Sequence, residues 1–133
     1  IETLKLSDQF LLPGYVEDVE PYYAMFDTFA LTSRYEGLPL AVIKALASGT
    51  PVVEFLSNGM IDLNDKFRSV LGAPQGDVVE FVRQLENARL MLMEETDVLE
   101  EEARFVRENL NRDRMYEAIM KVYASPARPL ATQ

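Results

Sequence analysis

The sequence predicts an α/β fold built on a parallel sheet and closed by a run of C-terminal helices. Short apolar runs at 28–32 and 51–55 flank a helical stretch, which is the strand–helix–strand order of a parallel pair. Those runs are apolar in character instead of alternating, as expected of strands covered on both faces. From Asp77 onward the apolar residues recur at helical spacing.

Taken in order, Leu4 and Leu6 read as the end of a helix. Gln9 to Leu12 is a short apolar run stopped by Pro13-Gly14 and predicts a buried strand. Val19 to Met25 predicts a helix, with Asp18 as N-cap and Pro21 in its first turn. Strands follow at 28–32 and 51–55, with a further one over Arg68 to Leu71. The helix between the first two of these runs from Pro39 to about Ser48. Proline at the first helical position loses nothing, because that N–H has no intrahelical partner, and Gly49 suits the position just past the end. Apart from Lys44 and Ser48 every residue of this helix is apolar, so it is expected to be buried nearly all round.

The second half reads as helical. Asp77-Val78-Val79-Glu80 has capping-box spacing, and Val78, Val82, Leu85 and Leu92 keep roughly helical period. Asp97 repeats that signal, and Asn111 is placed to cap a helix carrying Met115, Ile119 and Val122. Residues 1–124 are thus read as one partial domain and 125–133 as a disordered tail.

Composition narrows the function classes. At 133 residues and 48% hydrophobic, the chain is sized for one domain with a core. A net charge of −9 without a Lys/Arg cluster argues against nucleic-acid and anionic-membrane binding. No cysteine and no histidine are present, which excludes disulfides, thiolate chemistry and histidine-dependent serine or cysteine catalysis within this chain. No apolar stretch reaches the length of a membrane span and no signal peptide is evident, which fits a cytoplasmic protein. The chain opens on Ile1 in mid-pattern and is expected to be a fragment.

The stretch from Ser33 to Val53 carries the chemistry. A short loop holds Glu36 and Gly37, a proline opens an apolar helix, and Gly49-Thr50-Pro51 leads into a strand. That is the layout of a ligand site at the carboxyl end of a parallel sheet. The helix N-terminus offers unpaired N–H groups and partial positive charge to a phosphate. Gly37 allows close backbone approach, and Glu36 offers an acceptor to hydroxyls. A sugar nucleotide would bring both the phosphates and the hydroxyls. The other reading of Glu36 is a solvated loop carboxylate or a helix-terminus charge.

On Gly14-Tyr15-Val16, Asp27-Thr28-Phe29-Ala30-Leu31 and Ser33 to Val53, the chain resembles the retaining GT-B glycosyltransferases of glycosyltransferase family 4, in the second of their two Rossmann-like domains. The signature there is a glutamate, Gly-x-Pro, a second glutamate eight positions after the first, then Ala-x-Ala-x-Gly-x-Pro-Val-Val. Phe105-Val106 and Val122-Tyr123 are similar to the closing helices of that family. The resemblance implies a Rossmann-like parallel sheet of a GT-B C-terminal domain, N-terminally truncated and followed by helices. It implies Glu36 as the catalytic-site contact to the donor sugar, with Ser33 and Arg34 beside it. The backbone of Gly37, Leu38, Pro39 and Leu40 would line the sugar and distal phosphate, Pro39 having no N–H to offer. Gly14, Tyr15 and Val16 would sit beside the nucleobase. No cofactor and no metal are implied: the leaving diphosphate is stabilised by basic groups and the helix end.

Two departures qualify these expectations. Lys44 stands where the second glutamate would accept the ribose hydroxyls, and a lysine has donors only. It lies roughly 7–8 Å along the helix from Pro39, within reach of a phosphate or Glu36. Its readings are a snorkelling surface lysine, a mark of lost activity, or an altered donor contact. The second departure is that two strand–helix units of such a domain, with their arginine and lysine, have no counterpart here. In the order 3-2-1-4-5-6, the strands at 9–12, 28–32 and 51–55 would be third, fourth and fifth, with a gap between the first two. Self-association through the incomplete sheet is one consequence.

The expected function is therefore the C-terminal part of a glycosyltransferase, moving a sugar from a nucleotide-sugar donor with retention. A glycan or lipid-linked acceptor would bind through a missing N-terminal domain, in polysaccharide or related synthesis, and missing regions would account for any contact with the inner face of a membrane. The fragment alone is expected to be inactive. The alternative is a non-catalytic interaction or regulatory protein derived from a degenerate transferase. The acidic runs at Glu17 to Glu20 and Glu94 to Glu102 read as solvated faces. Tyr22 and Tyr23 read as packing residues before stacking ones, and Arg34 as a partner of phosphate or Glu36.

Overall fold

The computed structural model describes residues 1–57 and 59–124, and the tail expected from Ser125 lies outside the described residues. Three parallel strands, β1 (Phe29–Leu31), β2 (Val52–Phe55) and β3 (Val70–Ala73), lie side by side in that order. Phe29 stands opposite Val52, and Val52 opposite Val70. The helices are α1 (Glu20–Met25), α2 (Leu40–Ala47), α3 (Ile61–Lys66), α4 (Val78–Glu94), α5 (Thr96–Asn109) and α6 (Arg112–Ala124).

The alternation of β2 assigns the two layers. Val52 points into a core with Val42, Ala45 and Leu46 of α2, Leu63 of α3, Phe67, Val70 and Val106 of α5. Val53 points the other way, to Ala73 and to Phe81 and Ala88 of α4, where the Phe55 and Phe81 rings lie 4.7 Å apart. Helices thus cover both faces, which is why the strands read as apolar.

Several expected elements moved. No strand forms at 9–12: a short 3-10 turn spans Ser7–Gln9, and Phe10, Leu11 and Leu12 are largely exposed. A strand persists only where a neighbour pairs with it, and no described strand lies beside this segment. The helical end expected at Leu4 and Leu6 is a 3-10 turn over Glu2–Leu4. The strand expected at 68–71 runs from Val70 to Ala73.

Helix caps differ too. Val19, not Asp18, precedes α1, with no side-chain cap, and Pro21 lies in its first turn. Pro39 is the N-cap of α2 in an extended conformation, so Leu40 is its first helical residue. Gly49 follows the end of α2 at φ +78°, a left-handed conformation that glycine adopts without a Cβ penalty. Helix α2 is buried on one side only, at Val42, Ala45 and Leu46, with Leu40 and Lys44 outward. Asp77 caps α4 by accepting the Glu80 N–H at 3.0 Å, while the Glu80 carboxylate turns to Arg83 and Gln84. The buried face of α4 is Phe81, Ala88 and Met91, with Val78 and Val82 exposed. Glu95 rather than Asp97 precedes α5, and Asn111 does cap α6 through the Arg114 N–H.

Candidate functional site

The loop from β1 to α2 opens onto a cavity of about 570 Å³. Arg34, Tyr35, Glu36 and Gly37 line it from that loop, Leu56 and Ser57 from the segment after β2, and Gln75 from the segment after β3. All three contributions therefore come from the carboxyl ends of the strands, where the strand order leaves a crevice in open α/β sheets.

The loop is held from two sides. Gln75 Nε2 donates to the carbonyls of Ser33 and Arg34, each at 3.3 Å. Gly59 lies so close that a Cβ there would run into the carbonyl oxygens of Glu36 and Gly37. A side chain at 59 would thus displace the carboxylate-bearing turn.

The α2 N-terminus borders this loop. The Val42 and Ile43 N–H groups donate to the Pro39 carbonyl at 3.0 and 3.4 Å, and among the described residues no side chain caps the helix. The first N–H groups, those of Leu40 and Ala41, thus have no intrahelical acceptor and meet incoming negative charge favourably. Glu36 is half-buried, Leu38 and Leu40 are exposed, and Tyr35 points almost wholly into solvent.

Lys44 takes a different place from either expected contact. Its Nζ donates to Glu20 Oε1 at 2.9 Å, joining α1 to α2. The hydrogen bond from Lys44 holds the Glu20 carboxyl below its ordinary range, and the same bond raises Lys44. The pair is exposed, and a lysine has donors only, so α2 presents no acceptor from this position. Arg34 lines the cavity and forms no ion pair with Glu36 among the described residues.

Gly14 and Val16 are not gathered around Glu36. They line a separate apolar cavity of about 270 Å³ with Tyr22, Tyr23 and Phe29, while Tyr15 is exposed. Tyr23 is a packing residue, its ring centroid 5.8 Å from those of Phe26 and Phe29, and its carbonyl accepts Thr50 Oγ1 at 2.8 Å. The second acidic run is more than a solvated face. Glu102 accepts from the N–H groups of Arg68 and Ser69 and from Ser69 Oγ, and Glu95 pairs with Arg68.

Sequence reading missed Leu56, Ser57, Gly59 and Gln75. Their signal was positional, since loops that follow parallel strands carry function. It also missed Glu54, a charged residue inside an apolar strand. Glu54 is fully buried on the same side of β2 as Val52, neither carboxylate oxygen has a partner among the described residues, and burial pushes its pKa up to about 8.

Residues 1–89 match the family described as glycosyl transferases group 1. A mannosylfructose-phosphate synthase of Agrobacterium fabrum is 40% identical over 62 residues, 45% of this chain and 14% of the relative. An uncharacterized glycosyltransferase of Haemophilus influenzae is 33% identical over 86 residues, 64% of this chain and 24% of the relative. A lipopolysaccharide core biosynthesis glycosyltransferase of Rhizobium meliloti is 30% identical over 83 residues, 62% of this chain and 24% of the relative. The chain thus spans less than a quarter of the length of these curated relatives.

Proposed function

Because the chain belongs to the group 1 glycosyl transferases, we propose that it forms the donor-binding part of an enzyme that transfers a sugar from a nucleotide sugar to a glycan, lipid or other acceptor, with retention. The observation that carries this reading is the placement of Glu36. Its turn adjoins the uncapped N-terminus of α2 and lines a cavity at the carboxyl ends of three parallel strands. The diphosphate of a donor meets the Leu40 and Ala41 N–H groups and the positive end of the helix dipole. The sugar hydroxyls meet the Glu36 carboxylate, which accepts and cannot donate when ionised. As the sugar–phosphate bond breaks, negative charge grows on the leaving phosphate oxygens, where the helix terminus is already oriented.

Calorimetric titration of the chain with UDP-glucose and GDP-mannose tests this. The expected result is saturable binding of at least one donor, weakened about tenfold or more by Glu36→Gln. Binding of neither donor contradicts the reading.

The second reading, a non-catalytic protein of transferase descent, draws on Lys44 itself, a donor-only side chain turned to Glu20, which leaves α2 without an acceptor at this position. It predicts that the wild-type chain binds neither donor and that Lys44→Glu does.

A further inference from the structure

We propose that Gln75 is the positioning residue of the Glu36 loop: its amide nitrogen holds the loop in the shape a ligand meets, and its amide oxygen is left to accept a ligand hydroxyl. The ligand half of this rests on the donor-site reading above, and the positioning half stands on the fold alone.

Gln75 lies on a firm base. The chain turns just beyond β3, where the Asp77 N–H donates to the Pro74 carbonyl at 2.9 Å and Asp77 then caps the longest helix, α4. From that base the side chain reaches a segment about forty positions away in sequence, bonding the Ser33 and Arg34 carbonyls. Both of those atoms only accept, so the amide orientation is decided by chemistry: the nitrogen faces the loop and Oε1 does not.

The loop itself has little else to fix it. Among the described residues no N–H between Ser33 and Leu38 donates to another backbone group outside the regular elements. Each 3.3 Å bond is long and individually weak, but two from one planar amide fix direction as well as distance. With Gly59 packed behind Glu36 and Gly37, the amide completes a clamp on the turn that carries the carboxylate.

Gln75 also lines the same cavity as Glu36. A third polar group there points to a hydroxylated occupant. Ser57, which lines the cavity, is buried, and its Oγ has no hydrogen-bond partner among the described residues. Buried hydroxyls without partners are uncommon in native proteins unless water or ligand completes them. A carboxylate, an amide oxygen and a hydroxyl around one cavity match the donors of a polyol such as a sugar ring.

The test pairs backbone 15N relaxation of the free chain with titration by UDP-glucose and GDP-mannose, for wild type, Gln75→Met and Gln75→Glu. Methionine keeps length without polarity, and glutamate sets a carboxylate against two carbonyls. Both variants are expected to lose order at Tyr35, Glu36 and Gly37 while the melting temperature stays within about 2 °C. Affinity for whichever donor binds is expected to fall about tenfold. Unchanged order at those three amides in both variants overturns the proposal, as does loosened order with unchanged affinity. A weaker affinity with an unchanged loop also overturns it, because Gln75 would then be a direct contact only. If the wild-type chain binds neither donor, the donor-site reading fails, and the relaxation data still decide whether Gln75 positions the loop.

Discussion

Glu54 shows how far one residue can depart from its surroundings. It sits on the central strand, facing the core that holds Val42 and Val70, with no exposure and, among the described residues, no partner for either oxygen. Desolvation of the charged form pushes its pKa from 4.5 to about 8. A group whose pKa is raised on folding stabilises fully below its unfolded pKa. That contribution is then lost as pH rises through the folded value. The loss across that window is on the order of 4 kcal/mol. Thermal melts of wild type and Glu54→Met from pH 4 to 9 should diverge accordingly: the wild type weakens with rising pH relative to the variant, which is the more stable at pH 8.5. Parallel curves would contradict the assignment.

Gly59 gives a second test at this scale. The Cβ of Gly59→Ala must move the Glu36–Gly37 backbone, at a cost of roughly 1–3 kcal/mol in chemical denaturation. Neither residue was legible in the sequence for its role. A glutamate in a strand signals an anomaly without saying whether it is paired, and a glycine in a loop does not say what approaches it. By contrast the turn at Glu36 and Gly37 and the helix that follows were legible as local structure, because rules of turn and helix start act within a few residues.

Among the elements, the strand–helix–strand unit β1–α2–β2 was the most legible, and it formed where expected to within one or two residues. Its apolar strands and Gly49 terminator are local signals. The buried face of α4 was harder to read. The set Val78, Val82, Leu85 and the set Phe81, Leu85, Ala88 both keep helical spacing, and only packing on β2 and β3 selects the second. Helix α3 spans only Ile61–Lys66, too short for periodicity to show. The strand expected at 9–12 depended on a neighbour and not on its own residues.

Two element-scale predictions follow from the caps and ties. Asp77→Ala removes the side-chain acceptor that caps the start of α4 and should lower stability by about 1 kcal/mol. Glu102→Ala leaves the Arg68 and Ser69 N–H groups and the Ser69 hydroxyl without their acceptor, where α5 meets the start of β3. Its cost should be the larger, about 2–3 kcal/mol, because the lost bonds are charge-assisted and Ser69 is buried. Urea denaturation of both variants checks the order.

At the scale of the molecule, the site is a crevice formed at one sheet end, while among the described residues other parts of the surface stay uncovered. Helix α6 buries no residue, and Met115, Tyr116, Ile119 and Met120 are all exposed. The Phe10–Leu12 segment is exposed as well. Among the described residues, no helix is long and apolar enough to cross a membrane. Because α6 contributes nothing to the core, Met115→Ser with Ile119→Ser should change unfolding free energy by no more than about 0.5 kcal/mol. A larger loss, dependent on protein concentration, would show that α6 is covered in solution.

In the proposed donor site, the Glu36 turn and the α2 N-terminus receive a nucleotide sugar. Backbone amide shift mapping by 15N–1H correlation spectra during titration with UDP-glucose and GDP-mannose tests it most directly. The largest shifts are expected on Glu36, Gly37, Leu38, Leu40 and Ala41, with Gln75 following. Shifts centred on another surface, such as the groove between Asn64 and Gln84, or no shifts with either donor, would contradict it.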